Sequence, residues 1–407
     1  MSIADRILSN QDRDGMLRRS LERIIQLYTD KSHFIYELLQ NAEDASASRI
    51  KFIQHEDRLV VMHDGAAFTE QNLQGLCDIG QSDKINNLNQ IGEFGVGFKS
   101  VFGICDVVRL YSNPRPEELA AGCEKFSVEI HDFTKPEEID YIDIPDGYTT
   151  VFEFPYRVGE TFSGFQTVNA LKDKIASRLK NLGITTLLFM RHLSVIDYEI
   201  CCKGLENQGQ YRLNKERISP TCVKAYALEN ENRKQDSSIS FLLFSAPIKA
   251  DMPNRTLDIA FQMVVDKDGK TTFQQAKSPY ISVYFPTETE SKLKFIVQGP
   301  FRTTPNRSSV PADDETNIRF AKAVGKLLYR SILEVRDMGL LDLNFLKILP
   351  MDGDNSNQGI NDHLHCKVVV LFQTPLQGRV PVIAGQSAEK SDCDAGTWHL
   401  PEVKNTY

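Results

Sequence analysis

Residues 91–102 read IGEFGVGFKSVF, and how this stretch is read decides the fold. Gly92, Gly95 and Gly97 fall within six residues, followed by Lys99, Ser100 and an apolar pair. Glycine suits a place where a ligand must come close to the main chain. Successive bare N–H groups in such a loop form an anion nest, and a helix N-terminus behind it adds partial positive charge. The stretch therefore reads as a phosphate cradle, with an ordinary glycine-rich turn as the plain alternative. No G-K-[ST] ends it, so it is not a Walker A loop. Its glycine spacing and surroundings do not fit a dinucleotide-binding turn either.

The chain around it has 407 residues, 41% hydrophobic and 25% charged, which gives apolar material for two or three globular domains. A net charge of −8 argues against a broad nucleic-acid-binding face. The longest apolar runs, such as residues 368–372, are far too short to span a bilayer. The opening MSIADRILSNQDRDG is charged almost from its start and does not read as a signal peptide. The expectation is a cytoplasmic protein without membrane contact. The eight cysteines form no C-x-x-C pair and read as free thiols. His363, His365, Cys366, Cys393 and His399 have metal-capable side chains, but their spacing fits no zinc pattern.

Hydrophobic periodicity predicts helices at 16–29 and 32–46, strands at 49–55 and 58–63, and a helix at 70–78. Residues 80–89 (GQSDKINNLN) read as a mobile loop, and the glycine stretch opens an apolar helix. Strands at 107–111, 125–130 and 150–154 complete a first domain, residues 1–160. Residues 161–184 read as a linking helix. From 185 to 350 the sequence is strand-rich (TTLLFM, SVIDYEI, ISFLLFSA, LDIAFQMVV, YISVYFP, LKFIVQG) with a strong helix at 315–337. The fold class is α+β. Residues 351–407 read as an extension carrying one strand, KVVVLF.

The predicted helix YELLQNAEDASA spaces Glu37, Asn41 and Asp44 at i, i+4 and i+7, on one face. Taken alone, such a row is more often a solvated surface. Three downstream segments change the weighing: a strand running into VMHDG, the glycine cradle, and the strand GYTTVFEF. This order supplies a group for a base at a strand end, backbone amides for phosphates, a side-chain oxygen for Mg²⁺, and a carboxylate to act as base toward water.

The motifs ELLQNAEDA, IGEFGVGFKSVF and GYTTVFEFP resemble those of the gyrase, heat-shock-90, histidine-kinase and MutL (GHKL) ATPases. They are most similar to the heat-shock-90-like domains of sacsin-type proteins. The resemblance covers roughly residues 30–155 and implies a Bergerat-type ATP-binding sandwich, with ATP and Mg²⁺ as ligands. It implies Glu37 as general base, Asn41 as Mg²⁺ ligand and Asp44 in the nucleotide pocket. In the cradle begun by Gly92, it gives phosphate-binding amides to Gly95, Val96, Gly97 and Phe98. Lys99 adds charge there or is a solvated helix lysine. Thr150 reaches the base. Ser82 and Lys84 sit in a lid-like S-x-K. The family's D-x-G-x-G box is altered here: Gly65 matches its first glycine, His63 takes the aspartate position and Ala67 the second glycine. Either His63 accepts from the base or a bulge turns Asp64 inward, and the reading leans to Asp64.

A looser resemblance over residues 185–345, to the middle domains of heat-shock-90 and sacsin-type proteins, points to Arg307, with Arg302 second, as the cation for the terminal phosphate. The implied mechanism is a nucleotide-operated clamp with slow turnover. Closure brings dimerisation in the family, and the chain is a candidate for one subunit of a chaperone-like or phage-defence assembly with a protein partner. The competing readings are a DNA-handling ATPase and a nucleotide-binding scaffold without turnover.

Overall fold

The structure is a computed structural model that describes residues 34–77, 98–131, 134–157, 167–231, 237–248, 255–277, 280–304 and 309–350. The expected helix at 16–29, the loop at 80–89 and the strand at 367–372 lie outside these. In chain order, the first half contains α1 (Phe34–Asp44), β1 (Arg49–Gln54), β2 (Arg58–His63) and α2 (Glu70–Cys77). A 3-10 helix (Phe98–Gly103), β3 (Val108–Ser112), α3 (Pro116–Ala120), β4 (Phe126–His131), β5 (Lys135–Glu138) and β6 (Thr150–Pro155) come next. After α4 (Val168–Lys180) come β7 (Val195–Ile200), β8 (Asn207–Arg217), β9 (Cys222–Glu231), β10 (Ser237–Pro247), β11 (Thr256–Val265) and β12 (Thr271–Gln274). The last elements are β13 (Tyr280–Val283), β14 (Phe285–Glu290), β15 (Ile296–Gln298), α5 (Glu315–Asp337) and α6 (Leu343–Ile348).

The strands form one mixed sheet in the order β14-β13-β15-β11-β10-β9-β8-β7-β1-β2-β6-β3-β4-β5, with β12 paired to β11. The architecture is α+β. β7 pairs in parallel with β1, so the sheet passes without a break from the first half of the chain to the second. The remaining pairings are antiparallel apart from β13 with β15.

One face of the first half carries Leu59, Val61, Leu110, Phe152 and Phe154, which share a buried cluster with Phe34, Leu38, Leu39 and Ala42 of α1 and with Leu171, Ile175 and Leu179 of α4. The opposite face carries a smaller cluster of Val60, Met62, Tyr111 and Val151. This is the period-two alternation of strands covered on both sides. In the second half, α5 and α6 cover the face of Ile259, Phe261 and Phe295. Asp314 caps α5 by accepting from the backbone N–H groups of Thr316 and Asn317 (2.8 and 3.0 Å). No helix among the described residues is long and apolar enough to cross a membrane. The six described cysteines are free thiols.

The structure corrects one reading, specifies a second and adds two strands. TTLLFM, predicted as a strand, is a run of turns closed by i→i+3 backbone bonds: Thr186 to Gly183, Leu188 to Thr185 and Met190 to Leu187 (2.9–3.0 Å). Leu187, Leu188, Phe189 and Met190 are consecutive and all buried, which a strand with one covered face does not allow. The apolar helix expected after the glycine cradle is of the 3-10 type. β8 and β9 stand where the sequence pattern shows no strand, because Lys, Arg and Glu at largely exposed positions of β8, and Lys and Glu at half-buried positions of β9, hide the alternation.

Candidate functional site

At 100° per residue, Asp44, Glu37 and Asn41 lie within about 60° of arc on α1, beside the core stripe of Phe34 and Leu38. Glu37 is only 4% exposed, and Asn41 and Asp44 are partly exposed, so the row is not a solvated face. The helix ends in a Schellman motif. Ser46 takes the left-handed conformation (φ 57°), its N–H bonds the Glu43 carbonyl at 2.9 Å, and the Ala47 N–H bonds the Ala42 carbonyl at 2.9 Å.

That turn sets the position of the 63–68 loop. The Ala66 N–H donates to the Ala45 carbonyl (2.7 Å). A Cβ on Gly65 would stand 2.6 Å from that same oxygen, so only glycine lets the loop close on α1. The Asp64 carboxylate accepts from the backbone N–H groups of Ser48 and Arg49 (2.7 and 2.8 Å) and from the Ser48 hydroxyl (2.5 Å). The Thr149 hydroxyl donates to the Gly65 carbonyl (2.6 Å), and Arg115 donates to the Asp64 carbonyl. Glu118 receives the Ala67 N–H (3.0 Å).

With Asp64 turned to the α1–β1 connection, His63 is the residue of that pair on the helix-covered face, in phase with Leu59 and Val61. It is 5% exposed, and its Nδ1 accepts the Gly65 N–H at 3.2 Å. Burial holds its pKa down at about 4; the Asp64 charge opposes this and Arg115 reinforces it, so the ring is neutral at pH 7. Directly opposite it on β6 stands Thr150, and opposite Thr150 on β3 stands Ser112. Both are fully buried, and both are in phase with the apolar residues Phe152 and Leu110. The Ser112 hydroxyl donates to the Phe68 carbonyl (2.8 Å). The Thr150 hydroxyl has no partner among the described residues. A polar row, His63–Thr150–Ser112, thus closes the end of an otherwise apolar sheet face beneath α1.

The other motifs reach the same place. The ring of Phe98, the last residue of the cradle, lies 5.4 Å from that of Phe152, next to Thr150 on this face, and α1 packs on the 3-10 helix that Phe98 begins. Lys99 is buried and its ammonium donates to the Leu76 carbonyl at the end of α2, where helix carbonyls carry partial negative charge. Ser82, Lys84, Gly92, Gly95, Val96 and Gly97 lie outside the described residues, and so does Arg307. Arg302 is exposed and pairs with Asp314 at 3.5 Å. Its backbone N–H and carbonyl are both held by the buried Asn317 (2.7 and 2.9 Å), which ties down the strand-to-helix connection.

Sequence reasoning misses the anchor of α1. The buried Glu43 carboxylate accepts the N–H groups of Arg191 (2.7 Å), His192 (3.1 Å) and Leu193 (2.8 Å), and so fixes the turn run before β7 to the helix bearing Glu37. It misses Arg115, Glu118 and Ser112 as well. They act on a loop more than 40 residues away, and nothing local in the sequence marks them. An open groove of about 400 Å³ lies on the other face of the sheet, lined by Arg49, Lys51, Tyr148, Asp197 and Glu199. Its charges are spent in cross-strand pairs, Arg49–Asp197 and Lys51–Glu199, each at 3.2 Å. No group of three His, Cys, Asp or Glu side chains able to hold a metal occurs among the described residues.

Residues 55–115 match the protein family described as the Sacsin domain. Over 328 residues, three quarters of this chain, the sequence is 28% identical to Protein NO VEIN of Arabidopsis thaliana. Over 109 residues, 23% of this chain, it is 30% identical to Sacsin of Homo sapiens. The matched parts are 11% of the first relative and 2% of the second, so the chain spans a small fraction of either. The similarity is sacsin-like, and its family match includes β2, the His63 loop and the strand that carries Ser112.

Proposed function

We propose that the chain binds a Mg²⁺–nucleoside triphosphate between α1 and the His63–Thr150–Ser112 row, hydrolyses it slowly, and uses the bound state as a conformational switch. ATP is the nucleotide that the motif resemblance implies. One observation carries the reading: a fully buried threonine hydroxyl without a partner among the described residues, at the polar end of an apolar sheet face, under a helix that presents a buried carboxylate. An unsatisfied buried polar group costs stability unless a ligand completes it. The sacsin-like similarity over residues 55–115 favours the same reading.

Bound Mg²⁺ neutralises phosphate charge and polarises the phosphoryl oxygens. The chain's own residues do the rest. Asn41 offers its side-chain oxygen to the ion, which prefers oxygen ligands. Glu37, buried beside it, orients a water and accepts its proton. Thr150 completes the base contact, and Phe98 closes the cradle against Phe152. Asp44, at the exposed end of α1, lines the mouth. In this reading the nucleotide shifts a conformational equilibrium by its higher affinity for the closed state. Closure brings in Arg307 from the β15–α5 connection and a second copy or protein partner.

Calorimetric titration with Mg²⁺ and a non-hydrolysable triphosphate tests the binding step. Wild-type chain should bind, and Asn41→Ala should lose binding in the presence of Mg²⁺. Equal affinity with and without Asn41 contradicts the proposed site.

A further inference from the structure

Resting on the nucleotide reading and altering only its base, we infer that the His63–Thr150 pair recognises a purine with a carbonyl at C6, guanine or hypoxanthine, in preference to adenine. Most hydrogen-bonding groups at this end of the sheet are already used. Asp64 is committed to Ser48 and Arg49, the Thr149 hydroxyl to Gly65, and the Ser112 hydroxyl to Phe68. Arg115 is turned to the Asp64 carbonyl. Two groups on the helix-covered face remain: Thr150 Oγ1, without a partner among the described residues, and His63 Nε2, the ring nitrogen that the bond from Gly65 leaves over.

The identity of the free imidazole atom is fixed by the bond on the other one. The Gly65 N–H points at Nδ1, so Nδ1 must be the bare nitrogen. A neutral ring then carries its proton on Nε2, which is a donor. Burial keeps the ring neutral well below pH 7. Thr150 stands directly across the antiparallel pair, with Cβ atoms about 5 Å apart in such a register, and its hydroxyl can donate or accept. The slot therefore offers one obligate donor beside one adaptable group. A 6-oxo purine presents the complement, an acceptor at C6 beside an N1–H donor. Adenine presents an amino donor at C6, which would face the Nε2–H with both donors buried and unpaired. A site built around a hydrogen bond rejects the analogue that cannot make it far more strongly than a purely apolar site rejects a changed methylene.

The test is calorimetric titration of the full chain with Mg²⁺ and the β,γ-imido analogues of ATP, GTP and ITP. Inosine and adenosine differ only at C6 and in the resulting N1 protonation, so that pair isolates the contact. The expected result is that the inosine and guanosine analogues bind about 10- to 100-fold tighter than the adenosine analogue. His63→Asp, which replaces the donor by an acceptor, should reverse the order. Adenosine binding as tightly as inosine, or a ratio unchanged by His63→Asp, overturns the inference while leaving the nucleotide reading in place. If none of the three analogues binds, the nucleotide reading itself falls, and the inference with it. Should His63→Asp fail to fold, the wild-type ratio of inosine to adenosine analogue decides alone.

Discussion

The Glu43 carboxylate and the Leu193 N–H meet at 2.8 Å, joining the helix that carries Glu37 to the turn run that feeds β7. Because the same carboxylate also takes Arg191 and His192, its loss leaves three backbone donors unmatched, with the Leu193 N–H among them buried. Glu43→Ala should destabilise the chain by about 2–4 kcal/mol. Glu43→Gln should recover little of this, since its amide would turn a donor toward backbone donors. Urea denaturation checks it: the midpoint should fall for both variants with the slope unchanged.

Gly65→Ala tests the closure of the loop on α1. The added methyl meets the Ala45 carbonyl oxygen, a backbone atom that cannot swing aside. A cost of about 1–3 kcal/mol is expected, typical of overpacking at a tight contact. Thermal unfolding measures it, and nucleotide affinity should drop in parallel because His63 depends on the Gly65 N–H for its orientation.

Thr150→Val separates a ligand contact from a structural one. In the unliganded chain it removes a buried hydroxyl without a partner among the described residues, so stability should stay level or rise by up to about 1 kcal/mol. Triphosphate binding should weaken in the same variant. A variant that loses stability would mean that the hydroxyl serves the fold.

His63 gives a pH prediction. Its folded pKa is about 4 against an ordinary 6.5, so between these values the unfolded chain binds more protons than the folded one. Its contribution is fully present above pH 6.5 and lost as pH falls toward 4, amounting to about 3 kcal/mol. The buried Asp258, whose pKa is raised by burial, works with the opposite sign. The effect of His63 is therefore best read directly: in an NMR titration its ring resonances should not move between about pH 8 and 5.5. A midpoint near 6.5 would show the ring to be exposed.

The elements that make the candidate site were legible because their signals are local. The i, i+4, i+7 spacing of Glu37, Asn41 and Asp44 predicted a shared face, and α1 presents them so. The strands carrying His63 and Thr150 are short, mostly apolar runs bounded by polar turns, and their spans match the expected ones closely. The orientation of Asp64 was not legible. Strand phase allowed either neighbour to face the helix, and the deciding bonds come from Ser48 and Arg49 across a turn. The use of Lys99 at the end of α2 depends on a carbonyl 23 residues away. TTLLFM misled because consecutive apolar residues fit a buried strand and a buried turn equally well.

The most direct test of hydrolysis at this site is phosphate release by the full chain with Mg²⁺ and ATP or GTP, comparing wild type with Glu37→Gln. Slow turnover by wild type is predicted, with a loss of about 10²- to 10⁴-fold in Glu37→Gln and triphosphate binding retained in the variant. Binding by wild type with no release above the Glu37→Gln level would contradict hydrolysis at this site and leave a nucleotide-binding scaffold in its place.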